Sequence, residues 1–171
     1  MAATAERQID SCHKTPGSLL EGVLDSIGWY PSGYTDGEGC FCVSFSKSIR
    51  HRFGWDIRPS FSVSQNGDRM EMLRLFQQQL KCGFIRPDRS DKTYKFETRS
   101  VPELVCKVIP HFERFPLLSS RRRDFELFAQ ICRMMSRREH LTNEGFGKIL
   151  KLAGQMNGSG KRKYLPEEMM I

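Results

Sequence analysis

The chain reads as an α+β domain in which two antiparallel β-hairpins alternate with helices, and three observations predict it. Apolar and small polar residues alternate over Cys40–Lys47 and again from Ile57 to Ser64, the period of a half-buried strand. A second, shorter pair of alternating segments, Phe84–Pro87 and Thr93–Thr98, flanks a polar turn. Between and after these pairs, apolar residues recur at helical spacing with start and stop signals. The predicted order is helix–strand–strand–helix–strand–strand–helix (α-β-β-α-β-β-α), followed by C-terminal helices. A length of 171 residues with 39% hydrophobic content and twelve phenylalanines can bury one real core, so a single domain accommodates the whole pattern.

Residues 1–17 show no periodicity and read as an extension, with a short helix expected near Leu19–Leu24. The N-terminal extension is taken as residues 1–24. Ser26 is placed to cap the next helix, with Trp29 and Tyr30 in its first turn. Pro31 is tolerable only near a helix start, where a missing N–H has no partner to lose, so the regular helix is expected to begin close to it. Gly33 and Gly37 lie four apart on one helical face, where a second helix could approach to backbone contact. Gly39 then terminates the helix, with Asp36 and Glu38 at its end.

In the first strand Phe41, Val43 and Phe45 point one way and Cys42, Ser44 and Ser46 the other. The basic and aromatic loop from Ser48 to Trp55 leads to a second strand, where Ile57, Phe61 and Val63 oppose Arg58, Ser60, Ser62 and Ser64. Pro59 implies an edge position or an irregularity there. Asp68 is read as the N-cap of the following helix, with Glu71 as its capping-box partner. Met72, Leu73, Phe76 and Leu80 form its apolar face, and Gly83 ends it. The second hairpin turns at Asp88–Asp91, and on its return strand Tyr94 and Phe96 alternate with Lys95 and Glu97. A helix from Pro102 is expected to stop at about Ile109, before Pro110. Another carries Phe125, Phe128, Ala129, Cys132 and Met135, and Thr142 caps a last one with Phe146, Ile149, Leu150 and Ala153. The basic run Gly160–Lys163 opens a C-terminal tail, residues 157–171.

Charge and cysteine usage narrow the function classes. The net charge is +7, yet residues 1–39 carry two basic against six acidic residues, leaving +11 on the remainder. A basic body around an acidic helix end suits a polyanion-binding surface with a carboxylate site. The six cysteines (12, 40, 42, 82, 106, 132) include no Cys-x-x-Cys and read as reduced thiols of an intracellular protein. No apolar run approaches the roughly 18 residues of a membrane span, and no signal-peptide pattern opens the chain, so a soluble protein without a membrane partner is expected.

The stretch Pro31-Ser-Gly-Tyr-Thr-Asp-Gly-Glu-Gly39 resembles the nine-residue signature of the LAGLIDADG homing endonucleases. Gly33, Asp36, Gly37, Glu38 and Gly39 match it directly, and Ser32 and Tyr34 are mild variants. Pro31 and Thr35 depart, standing where the family usually has aliphatic residues. The order of elements after the signature strengthens the resemblance, which covers roughly residues 25–156. It implies the family's fold, with its antiparallel saddle-shaped sheet laid in the DNA major groove.

The resemblance also implies site residues. Glu38, at the eighth signature position, corresponds to the metal ligand, with the Gly37 carbonyl as a second contact. Oxygen ligands favour Mg²⁺ or Mn²⁺, and Ca²⁺ is expected to bind without supporting cleavage. Gln65 matches a polar residue that orders solvent around the metals, and Arg121 matches a basic residue near the scissile phosphate. Arginine stays ionised and is a poor proton donor, so general-acid chemistry is not expected of it.

Contacts to double-stranded DNA are expected from the polar faces and loops of both hairpins. The first contributes Cys42, Ser44, Ser46, Ser48, Arg50, Arg52, Arg58, Ser60, Ser62 and Ser64. The second contributes Arg86, Asp88, Lys92, Thr93, Lys95 and Glu97, with Arg122 and Arg123 on phosphate. One signature without a second copy implies a homodimer with Ser32, Gly33, Asp36 and Gly37 at the seam. Two Glu38 residues would then meet over one minor groove of a long, nearly palindromic target. The implied function is a site-specific DNA endonuclease promoting intron mobility, in a prokaryotic cytoplasm or nucleoid or a eukaryotic organelle. An intron RNA maturase and a non-cleaving DNA-binding regulator on the same fold remain the alternatives, RNA being a partner only in the first.

Overall fold

The computed structural model describes residues 16–88 and 93–158, with side chains from Ser26 onward. Lys92, most of the second hairpin turn, residues 1–15 and the basic stretch 160–163 lie outside the described residues. The order is α1 (Pro16–Glu38), β1 (Gly39–Lys47), β2 (Trp55–Asn66), α2 (Met70–Leu80), β3 (Phe84–Pro87) and β4 (Thr93–Thr98). A helical rod follows, made of α3 (Val101–Glu103), a π-helical turn (Leu104–Val108) and α4 (Ile109–Arg114). Then come α5 (Arg121–Ser136), a 3₁₀ turn (Glu139–Leu141) and α6 (Asn143–Gly154). This is the expected α+β order.

The four strands form one antiparallel sheet in the order β1-β2-β4-β3. The core lies on one face, where α2 covers the β2–β4–β3 half and α5 lies on β1. Phenylalanines dominate it. Phe61 stacks on Phe41 at 4.9 Å and has Phe112 at 5.3 Å, while Phe76 and Phe96 stack at 5.9 Å. The inward set of β2 is Trp55, Ile57, Pro59, Phe61 and Val63, as the alternation predicts.

Four local expectations need correction. First, α1 is one continuous helix from Pro16, so Ser26 does not cap it and Pro31 lies inside it. An internal proline removes the hydrogen bond to residue 27 and costs about 3 kcal/mol in an isolated helix. Here tertiary contacts offset it, because the segment after α4 lies along this part of α1. A Cβ on Gly28 would sit 2.3 Å from the Phe115 ring, Trp29 meets that ring edge-on at 5.6 Å, and Ser32 Oγ donates to the Phe115 carbonyl at 2.6 Å.

Second, the edge that Pro59 implies is local, because β2 is an inner strand. Pairing of β2 with β4 covers only Phe61 to Asn66, so at Pro59 the strand has a neighbour on the β1 side alone. The proline occupies a local free edge, where a missing donor leaves the ladder intact.

Third, Asp68 caps nothing. It falls in a 3₁₀ turn (Gly67–Arg69), and no side chain caps α2, whose N-cap is Arg69. The tighter turn takes up the first N–H groups instead. The helix ends at Leu80 on a left-handed Lys81 with φ 50°, two residues before Gly83. Gly83 has φ 74° and approaches Phe96 too closely for any Cβ.

Fourth, Pro110 does not stop the third helical segment. The π turn precedes it, and the wider i→i+5 spacing removes the backbone clash an α-helix would have imposed. Thr142 caps α6 as expected, its hydroxyl accepting from Gly145 N.

Candidate functional site

Gly39 ends α1 by close packing rather than by a left-handed turn. Its φ is not positive, and a Cβ there would lie 2.3 Å from Thr35 Cγ2 and 2.8 Å from the Thr35 carbonyl oxygen. The helix therefore passes directly into β1, which brings Glu38 to the edge of the sheet. Glu38 is exposed and makes no hydrogen bond or ion pair among the described residues.

The carbonyls beside Glu38 are held by Arg121, the first residue of α5. Its Nε donates to the Asp36 carbonyl at 2.9 Å, Nη2 to the Gly37 carbonyl at 3.0 Å, and Nη1 to the Gly39 carbonyl. All three guanidinium nitrogens are thus committed to the end of α1, where orphan carbonyls and the negative end of the helix dipole favour a cation. Arg121 is where the sequence places a charge beside the carboxylate, but it acts on backbone. The Gly37 carbonyl keeps a second lone pair for another electropositive partner.

Asp36 is engaged within the chain. Its carboxylate accepts from Leu118 N at 2.9 Å, Ser119 N at 3.2 Å and Ser119 Oγ at 2.6 Å. Burial pushes this carboxyl up, but the bonds from Ser119 and Leu118, with Arg121 nearby, bring it below its ordinary value. Ser32 is 2% exposed and bonded to the Phe115 carbonyl. Of the four residues expected at a subunit seam, Ser32 and Asp36 therefore serve the chain's own packing. Gly33 and Gly37 remain exposed, with nothing within 4 Å of a Cβ at either.

The Asp36 clasp carries a pH signature. A carboxyl whose folded value is lowered adds stability above its unfolded value of about 3.9, and loses it as pH falls through the folded value. Asp36→Asn is thus expected to lower the unfolding temperature at pH 7, with the gap from wild type closing below about pH 4. A gap that persists in acid would show that the carboxylate charge is not what holds residues 118–119.

Gln65, at the end of β2, is fixed at both ends of its amide. Nε2 donates to the Tyr34 hydroxyl, and Oε1 accepts from Asn66 N at 2.7 Å. Burial raises the Tyr34 phenol, and the Glu38 charge raises it further. Tyr34, absent from the sequence candidates, therefore joins Gln65 and Glu38 in one cluster. The next residue, Thr35, is fully buried, and its hydroxyl has no hydrogen-bond partner among the described residues. An unpaired buried hydroxyl costs about 1–3 kcal/mol. Thr35→Val should stabilise the protein by about 1 kcal/mol, a rise of roughly 2–4 °C in Tm. A lower Tm would mean that the hydroxyl finds a partner in solution.

The face of the sheet opposite the core carries the expected polar rows. Cys42, Ser44 and Ser46 stand across from Ser60, Arg58 and Asp56, while Ser62 faces Glu97 and Ser64 faces Lys95. Arg86 lies beyond Lys95 on β3, and Thr93 pairs with Asn66. Several of these side chains are already bound. Arg58 pairs with Asp56 at 2.6 Å, Lys95 with Asp88 at 3.1 Å, and Ser44 Oγ donates to the Arg58 carbonyl at 3.2 Å. Ser48 and His51 share a hydrogen bond of 2.8 Å in the β1–β2 loop, where Arg50 is exposed.

Two of the expected contact residues also have partners within the chain. Arg52 turns to the Leu141 carbonyl at 3.0 Å and pins that loop to the C-terminal helices. Arg122 pairs with Glu126 at 3.1 Å along α5, while Arg123 is exposed beside it. Arg99 and Ser119 enter the site without a sequence signal. Ser119 lies 83 positions from Asp36, and Arg99 follows β4 outside the alternating pattern.

The family model of the LAGLIDADG endonucleases matches residues 32–132. Among solved structures, the homing endonuclease I-TnaI is 33% identical with a TM-score of 0.73, covering 83% of this chain and 92% of its own. The I-LtrWI LAGLIDADG homing endonuclease, solved bound to target DNA, is 32% identical with a TM-score of 0.79 over 85% of this chain and 49% of its own. A probable intron-encoded endonuclease 2 of Neurospora crassa is 31% identical over 137 residues, 80% of this chain. The chain spans only 30% of that relative's length. The signature, the order of elements and these similarities agree: the chain belongs to the LAGLIDADG endonuclease family.

Proposed function

We propose that the chain is a site-specific, divalent-metal-dependent DNA endonuclease that promotes the mobility of its host intron and works as a homodimer. The observation that carries the reading is Glu38: a carboxylate left free at the end of α1, between a glycine-marked helix face and the polar face of the sheet. Among the described residues no three acidic, histidine or cysteine side chains converge on a metal centre. One chain therefore offers half a site, and a second copy of α1 would bring the other carboxylate.

The donor set fits a hard cation. Glu38 and the Gly37 carbonyl present oxygen only, which suits Mg²⁺ or Mn²⁺, with Ca²⁺ expected to bind without supporting cleavage. Such a cation, when bound, polarises the scissile phosphoryl group and lowers the pKa of its water. The chain's own part is positional. Arg121 fixes the end of α1 and with it Glu38, and the Gln65–Tyr34 bond holds a polar group beside that carboxylate. The serines, Arg58, Arg86 and Lys95 on the open sheet face meet base edges and phosphates of the duplex.

The DNA-bound state of I-LtrWI supports duplex DNA as the partner, and the intron-encoded name of the Neurospora relative supports the homing role. The fungal, intron-encoded relatives favour a eukaryotic organelle as the location. No helix among the described residues is long and apolar enough to cross a membrane.

The reading is tested by incubating the protein with a randomised duplex library, with and without Mg²⁺, and sequencing cut ends and bound duplexes. Recovery of one long, nearly palindromic sequence cut only with metal is the expected result. Binding without cutting would transfer the chain to the regulator class. The +11 balance of residues 40–171 adds a quantitative expectation. If each complex neutralises about six phosphates, log K should fall with log salt at a slope near −5. A flat profile would exclude extensive contact between the basic face and DNA.

A further inference from the structure

One carboxylate on the open face of the sheet is buried. Glu97 on β4 is 6% exposed and lies between Ser62 on β2 and Phe84 on β3 in the cross-strand register. A carboxylate on a DNA-facing surface would repel phosphate, and burying one is costly unless it is paired. Both problems are met by two arginines. Arg86 Nε and Arg99 Nη2 each donate to Glu97 Oε2 at 2.8 Å. Burial pushes Glu97 up, but the Arg99 and Arg86 bonds more than reverse this, so it stays ionised at neutral pH. The trio has a net charge of +1, and an approaching duplex meets guanidinium.

The geometry leaves a fork available. Arg86 spends Nε on Glu97 and reaches the Pro87 carbonyl with Nη1 only at 3.5 Å, while Nη2 has no partner among the described residues. The Nη1–Nη2 edge is the one that grips guanine O6 and N7 in the major groove. Lys95, directly across from Arg86, is already held by Asp88 and does not compete for the same base. Arg99 lies just beyond Thr98, the last paired residue of β4, and keeps Nε and Nη1. A long side chain already held in place loses less rotamer freedom on binding, and this favours readout by Arg86.

We propose that Glu97 is a positioning residue for base recognition: it holds Arg86 so that its fork takes a guanine in each half of the target, with Arg99 on the adjoining phosphate. The inference rests on the DNA-endonuclease reading above. It also replaces the sequence expectation that Glu97 itself touches DNA.

The test is a binding selection from a randomised duplex library in EDTA, run on wild type, Arg86→Lys, Glu97→Gln and Glu97→Asp, with thermal unfolding as the control for folding. Wild type should recover a guanine at one position of each half-site. Arg86→Lys keeps the charge but not the fork and should lose that preference roughly tenfold, at that position only. Glu97→Gln should lose preference at the same position through an Arg86 that is no longer held. Glu97→Asp, which keeps the charge but withdraws it by one methylene, should do likewise, and it carries the test if the glutamine variant does not fold.

Unchanged guanine preference in both folded Glu97 variants would overturn the positioning role. A uniform loss of affinity across all positions in Arg86→Lys would make Arg86 a phosphate contact and overturn the base-reading role. If wild type recovers no sequence at all, the endonuclease reading itself fails, a result distinct from either of these.

Discussion

Glu38→Gln is expected to leave the protein folded and bound to its target duplex while cleavage falls by at least about a thousandfold. A bound cation lowers the barrier by several kcal/mol, and each 1.36 kcal/mol is a factor of ten in rate. Glutamine keeps the length and one oxygen of the side chain but removes the charge that offsets cation desolvation. Nothing in the fold opposes the change, because Glu38 is exposed and makes no hydrogen bond or ion pair among the described residues. Binding is expected to survive because the groove contacts lie on the strands. The measurement pairs single-turnover cleavage in Mg²⁺ with affinity in EDTA. Cleavage at the wild-type rate would move the metal site away from the end of α1, and loss of binding would mean that Glu38 shapes the DNA surface itself.

Gly33→Leu is expected to give a folded, inactive monomer. A Cβ at Gly33 meets nothing within 4 Å in the chain, and leucine is the better helix former by close to 1 kcal/mol. The subunit alone should therefore be as stable as wild type or slightly more so. Any damage then reports on a partner surface. If a second α1 packs here, the leucine stands where the partner backbone lies, and the loss should exceed the roughly 1–3 kcal/mol of ordinary overpacking because neither helix can recede without separating the two Glu38 residues. Sedimentation should show monomers, with cleavage lost and DNA affinity sharply reduced. Gly28 on the same helix is the internal contrast. Phe115 fills its Cβ position, so a side chain there should destabilise the subunit by about 1–3 kcal/mol rather than divide a dimer. A Gly33→Leu protein that remains dimeric and active would move the seam away from this helix face.

Much of the fold was legible in local pattern. The bounds of β3 and β4 match the alternation, and Thr142 caps α6 as its side chain allows. The inward set of β2 follows directly from a period of two. These features depend on neighbours within a few residues, which a linear reading contains. The candidate site was legible for a related reason: Gly33, Gly37, Glu38 and Gly39 lie on the face and at the end of a single helix.

The misreadings are cases in which a distant segment overrode a local rule. Pro31 should start a helix and instead lies within one, because Ser32, Gly28 and Trp29 pack on Phe115. Pro59 should mark an edge or an irregularity, and only the end of β4 pairing at Phe61 shows which it is, a local free edge on an inner strand. Arg121 could be placed beside the signature by resemblance, yet its use as a clasp on the Asp36, Gly37 and Gly39 carbonyls required α5 to be docked against α1. The burial of Glu97 beneath Arg86 and Arg99 likewise depended on which strands are neighbours. The linear chain determined its elements, its faces and the chemical character of its site, since these follow from residue type and period. Tertiary structure decided which polar groups are spent on the chain itself and which are left for a ligand, because hydrogen bonds are saturable and their partners here lie up to 116 residues apart.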